Sequence, residues 1–182
     1  MGRVLERLDE RAIQFIGAQK MFFVATAPSG DAGLLNLSPK GLDTFAVLDE
    51  RTVAYLDLVG SGIETVAHLR QNGRIVVMFC AFEGSPNIMR IHGKGSVIEP
   101  GDAEWDELRR RFPEIPGARS IIRVHVERVA DTCGFAVPLY DYKGDRSTLL
   151  DWVEKKGPEA VEQYKAEKNA RSLDGLPGLR RA

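Results

Sequence analysis

The stretch TVAYLDLVGSGIETVAHLRQNGRIVVMFCAF, Thr52–Phe82, decides how this chain is read. Thr52–Leu58 is rich in β-branched and apolar residues and predicts a strand. It runs into a glycine turn, Gly60-Ser61-Gly62. Ile63–Arg70 then follows a helical pattern that stops at Asn72-Gly73, and Ile75–Phe82 reads as a second apolar strand. Ser61 and Thr65 fall at the start of the predicted helix, where backbone N–H groups lack intrahelical partners and the macrodipole favours an anion. The glycines let the backbone approach a phosphate closely. A strand, glycine loop and helix in this order predict a phosphorylated cofactor.

Upstream of that unit, an apolar helical period runs from Val4 to Ile16. Short β-prone runs follow at Met21–Ala27, Leu34–Leu37 and Thr44–Leu48, separated by the turns Pro28-Ser29-Gly30-Asp31, Pro39-Lys40-Gly41 and Asp49-Glu50-Arg51. Gaps this short join neighbouring antiparallel strands, because a parallel pair needs a long crossover. Downstream come the run Ile88–Ile98, a helix over Asp102–Arg111 and an alternating strand over Ser120–Val129. The tail, Asp145–Lys168, is helical and broken at Gly157-Pro158. The pattern predicts a mainly β fold: a small barrel of antiparallel strands in meander order, with one helical crossover and docked C-terminal helices. GSGIET copies part of the dinucleotide fingerprint, but Thr65 stands at its third glycine and the strands before Gly60 leave no room for alternating helices. One domain is expected over residues 1–182, with a barrel core over about 5–135 and a helical extension over about 145–182.

The formal net charge of −1 offers no electrostatic footprint for nucleic acid or an anionic membrane, and no apolar run is long enough to span a bilayer. Cys80 and Cys133 make no disulfide framework, which fits a reducing cytoplasm, and the N-terminus lacks the apolar core of a secretion signal. His68, His92 and His125 have no metal-ligand spacing, so no metal site is expected. Arg109-Arg110-Arg111 sits at a predicted helix C-terminus, where cations complement the dipole. Ser120 and Ser147 lack the setting of a hydrolase nucleophile. Tyr140, Tyr142 and Arg146 lie in a loop before the tail helices, placed either to close over a ligand or simply to dock.

The ordered combination of FFVATA (Phe22–Ala27), LLNLSPKG (Leu34–Gly41), the Thr52–Phe82 unit and NIMRIHGKGSVIE (Asn87–Glu99) resembles the pyridoxamine 5'-phosphate oxidase-like FMN-binding split-barrel superfamily over roughly residues 5–130. The tail is similar to an oxidase-like branch with undefined substrates. The resemblance implies a homodimer with FMN at the interface of the two copies, and a flavin-dependent oxidoreductase whose hydride passes through flavin N5. It implies a flavin contact for Lys40, read as a turn residue carrying little core energy. Ser61, Gly62 and Thr65 match the phosphate loop, Arg90 a polar or basic flavin contact, and Asn36 and Ser38 positions facing the ring system. Glu64, which would repel a phosphate, is expected to point to solvent. Gly62-Ile63 replace the basic pair that many relatives carry after the loop serine, so Lys40, Arg90 or the second copy must meet the phosphate charge. GLPGLRRA does not match the arginine motif that holds pyridoxal phosphate in the true oxidase, so pyridoxamine 5'-phosphate is not assigned as substrate. The alternatives are F420 in the same cleft, a non-catalytic flavin or haem carrier, or a stress-related binding protein.

Overall fold

In the computed structural model, which describes residues 2–180, the chain runs through β1 (Val4–Leu5), α1 (Glu10–Ala18), β2 (Phe22–Thr26), β3 (Asn36–Lys40), β4 (Phe45–Asp49), β5 (Thr52–Leu58) and α2 (Glu64–Asn72). It continues through β6 (Arg74–Cys80), β7 (Ile88–Ile98), α3 (Trp105–Arg109), β8 (Ala118–Thr132), α4 (Thr148–Lys156) and α5 (Pro158–Lys168). Residues 1, 181 and 182 of the expected domain lie outside the described residues.

The strands pair antiparallel in the order β3-β2-β6-β7-β8-β5-β4, with β1 added on β8. The fold is an open, mainly antiparallel barrel with a few helices: β3 and β4 end the sheet and do not pair with each other. As an edge strand, β3 tolerates Pro39, which cannot donate to a ladder. β7 and β8 pair from Ile88–Thr132 to Ile98–Ile121 and form the spine. On the inner face, Phe45 meets Phe22 and Phe79 edge-on, at 4.9 and 5.0 Å between ring centroids. The opposite face of β5 packs Ala54 and Leu56 with Ile121 and Phe112. Covered on both faces, β5 is apolar at nearly every position instead of alternating.

Several sequence expectations change. The helix read over Val4–Ile16 starts only at Glu10, because Val4 and Leu5 pair with Ala130 and Val129 of β8. Asp9 sets the helix boundary by accepting the Ala12 N–H at 2.8 Å, and Arg3 ties the preceding segment to Asp131. The strand read over Leu34–Leu37 is shifted to Asn36–Lys40, and the helix over Asp102–Arg111 shrinks to Trp105–Arg109. Meander order fails too: β5 pairs with β8, β2 with β6, and β3 does not pair with β4 despite the short gap. Leu42 and Asp43 in that gap have φ of 62° and 53°, both in the left-handed region.

The C-terminal helices are held on the barrel by Val153 and Val161, which pack against Val59. Gly117, at φ 82°, sits beneath them: a Cβ there would lie 2.9 Å from both Val59 and Val153. Beyond α5, the buried Asn169 donates to the Gly60 carbonyl at 2.8 Å and Leu173 N–H reaches Glu64 Oε1 at 3.1 Å. The segment 169–180 thus crosses the glycine loop and the start of α2.

Candidate functional site

The period of two along β3 puts Asn36, Ser38 and Lys40 on the more buried face, with Leu37 and Pro39 on the exposed one. The same three residues line a cavity of about 320 Å³ with Gly60, Gly62, Thr65 and Arg119. Asn36, Ser38, Lys40, Gly62 and Thr65 are therefore brought together. Ser61 is exposed and lines no wall of this cavity, although its two glycine neighbours do. Arg90 lies on β7 outside it and donates to Thr132 Oγ1 at 3.0 Å.

Beneath the cavity lining, behind Lys40 and Arg119, lies Asp57, fully buried in β5. Arg119 Nε donates to Asp57 Oδ2 at 2.7 Å, Ser120 Oγ donates to the same oxygen at 3.2 Å, and Lys40 Nζ donates to Oδ1 at 3.2 Å. Burial pushes the Asp57 carboxyl up, but the charges and hydrogen bonds of Arg119 and Lys40 outweigh it and hold the group at about 2. Lys40 is not a solvated turn lysine: it ends a strand, stands over the Tyr55 ring at 6.0 Å and pairs with a buried carboxylate.

A bulge makes the Arg119 contact possible. Asp57 pairs with Ser120 and Leu58 with Ala118, so Arg119 is left over between them. Adjacent residues of a regular strand point to opposite faces, yet Arg119 and Ser120 both reach Asp57. Arg119 Nη1 also donates to the carbonyls of Gly60 at 3.3 Å and Gly62 at 2.7 Å. One guanidinium thereby fixes the glycine loop to the buried Asp57. Motif reading picks out neither Asp57 nor Arg119; the available signal is a carboxylate inside an otherwise apolar strand, which needs a cation when buried.

A polar network backs the opposite wall. Asn36 Nδ2 donates to Thr65 Oγ1 at 2.9 Å and Thr26 Oγ1 at 3.3 Å, and Thr26 Oγ1 lies 3.0 Å from His68 Nδ1. Burial pushes the His68 pKa down, against the opposing charges of Asp174 and Glu64. The Tyr55 hydroxyl is buried near Thr65 at a geometry short of a hydrogen bond, and burial raises its pKa well above the ordinary value.

Glu64 departs from its expected orientation. Its carboxylate lines the cavity, accepts the Leu173 N–H, and lies so near Gly62 that a Cβ there would be 2.5 Å from Oε2. The reason is the C-terminal segment, which offers a backbone donor beside the first turn of α2, where a carboxylate also suits the dipole. The charges of Lys40 and Arg119 thus face those of Asp57 and Glu64. With those charges balanced, directed hydrogen bonds rather than net charge would hold a ligand there. Ser38, Thr65, Lys40 and the glycine loop form a donor set that fits a phosphorylated cofactor.

The family model described as pyridoxamine 5'-phosphate oxidase matches residues 8–133. A curated protein of Aspergillus flavus, the pyridoxamine 5'-phosphate oxidase family protein ustO, is 39% identical over 196 residues, covering 97% of this chain and 78% of its own length. The chain belongs to the pyridoxamine 5'-phosphate oxidase family. Two solved structures share the fold. HupZ of Group A Streptococcus has a TM-score of 0.52 at 22% identity, over 67% of this chain and 91% of that one. A candidate pyridoxamine 5'-phosphate oxidase from Lactobacillus delbrueckii has a TM-score of 0.52 at 18% identity, over 69% and 94%. Among the described residues no helix is long and apolar enough to cross a membrane, and Cys80 and Cys133 are free thiols.

Proposed function

We propose that this chain binds FMN in the cavity between β3, β5 and the start of α2, and works as a homodimeric flavin oxidoreductase on a small organic molecule. The observation that carries the reading is the convergence of Asn36, Ser38, Lys40, Gly62 and Thr65 on one cavity within the family-matched part of the chain. Bound flavin supplies hydride exchange at its N5. The protein supplies position: Thr65 and the glycine loop hold the phosphate end, and Asn36 and Ser38 orient the remainder. Lys40, braced by Asp57, offers a cation to the ring edge. Arg90 lies outside the cavity of its own chain, so an Arg90 contact would come from the second copy.

Purified protein tests this directly. FMN is expected to bind more than tenfold better than riboflavin, since each charge-assisted contact to phosphate contributes about 1.5–3 kcal/mol. Bound flavin should then be reduced by NADPH or by F420H₂, which separates an enzyme from a carrier. Equal affinity for FMN and riboflavin would defeat the phosphate assignment, and a Soret band in place of flavin absorbance would replace FMN by haem.

A further inference from the structure

Next to the cofactor cavity lies a second and larger one, of about 730 Å³, and the two share Pro39, Lys40, Gly41, Leu42 and Leu149. Its outer wall comes from residues beyond the family-matched segment: Tyr142 and Arg146 of the loop after β8, and Leu149 and Trp152 of α4. This wall is built. The Tyr140 N–H bonds the Phe82 carbonyl at 2.9 Å, their rings lie 5.5 Å apart, and the Tyr142 N–H bonds Glu83 Oε1 at 3.0 Å. Trp152 is braced edge-on against Tyr164 at 5.1 Å, with Lys156 over both rings. Even so, Tyr142 is 45% and Trp152 36% exposed, so both keep free ring surface in the groove.

The charges of this groove are unbalanced. Lys20, Lys40 and Arg146 line it against one carboxylate, Asp145. Asp145 acts on the Tyr142 hydroxyl, and Lys40 is committed to Asp57. Lys20 stands over the Tyr142 ring at 5.6 Å, and neither Lys20 nor Arg146 has an ion-pair partner among the described residues. Two aromatic rings and two cations without an ion-pair partner, beside the proposed cofactor cavity, call for a ligand that is flat and apolar at one end and anionic at the other.

We propose that the groove between the 142–146 loop and α4 is the substrate subsite, and that it takes an aromatic or similarly flat carboxylate, its ring against Tyr142 and Trp152 and its carboxylate on Arg146 and Lys20. The proposal rests on the flavin reading of the adjoining cavity, which supplies the reaction partner. The helical extension is then the element that selects the substrate, while the barrel holds the cofactor.

The test is calorimetric titration of the full chain, with and without FMN, using 1-naphthoate and the uncharged 1-naphthylmethanol. Naphthoate is expected to bind at least about tenfold more tightly than the alcohol. Arg146→Gln, an exposed loop change, should reduce that preference while leaving FMN affinity unaltered. Trp152→Leu should weaken both ligands. Equal binding of naphthoate and alcohol, or an unchanged preference in R146Q, would overturn the proposal, as would FMN binding with no naphthoate binding. Naphthoate binding with the expected preference in a protein that takes no flavin would support the subsite and refute the cofactor assignment alone.

Discussion

Asp57 and Arg119, sixty-two positions apart in the chain, meet in a buried ion pair with Nε 2.7 Å from Oδ2, and Arg119 is the residue left unpaired by a β-bulge. The pair couples the buried carboxylate to the glycine loop, because the same guanidinium holds the Gly60 and Gly62 carbonyls. Asp57→Asn keeps the shape but leaves Lys40 and Arg119 side by side without a counter-charge. Breaking a buried pair in this way costs about 3–5 kcal/mol. Urea denaturation of the variant should show that loss; a stability within about 0.5 kcal/mol of the parent would mean that the two cations find other partners.

Acid should expose the same cluster. The Asp57 pKa is held at about 2, below its ordinary 3.8. A depressed carboxylate contributes stability that is fully present above the ordinary value and is lost as pH falls through the folded one. The expected loss is about 2 kcal/mol between roughly pH 4 and pH 2. Denaturation midpoints measured across that window should fall more steeply for the parent than for D57N, and parallel slopes would remove Asp57 from the account.

Arg119→Lys keeps a cation on Asp57 but cannot also hold two loop carbonyls, since lysine lacks the planar fork. FMN affinity is expected to fall about tenfold, with a smaller loss of stability than in D57N. Retention of full FMN affinity would show that Asn169 alone suffices to fix the loop.

Lys40→Ala is expected to weaken FMN binding and also to destabilise the fold by about 1–3 kcal/mol, because it removes one of the donors on a buried carboxylate. Flavin content and melting temperature measured together decide the matter. A variant with full flavin content would exclude Lys40 from the cofactor site, whatever its stability.

Leu35 and Leu37, at the start of the β3 edge, are 82% and 67% exposed and border an apolar groove with Ile75 and Val76. A second copy covering that groove is expected, with a stable dimer at micromolar concentration and an interface above about 2,000 Å². Leu37→Glu should give a monomer by light scattering and should release flavin with it. A monomeric variant that keeps its flavin would confine the cofactor site to one chain.

The sequence by itself determined several local elements and the strand, glycine loop and helix that border the cavity. Period and turn chemistry fixed Thr52–Leu58 and Ile88–Ile98 to the residue, whereas they start the strand that puts Asn36, Ser38 and Lys40 on one face two residues too early and leave Lys40 in a turn. Glycines on either side of Ser61 marked the loop. These features are legible because they depend on neighbours a few residues away. Tertiary structure alone decided that Val4–Leu5 is a strand, that β3 and β4 part, that Glu64 turns inward to Leu173, and that Arg119 rather than Arg90 serves the cavity. Each of those outcomes depends on a partner far along the chain: a strand edge to pair with, a terminal segment to donate a hydrogen bond, a one-residue offset between β5 and β8. The hydrophobic period tells which face each residue takes, while the choice of partner strand and the offset at a bulge follow from the whole packed sheet.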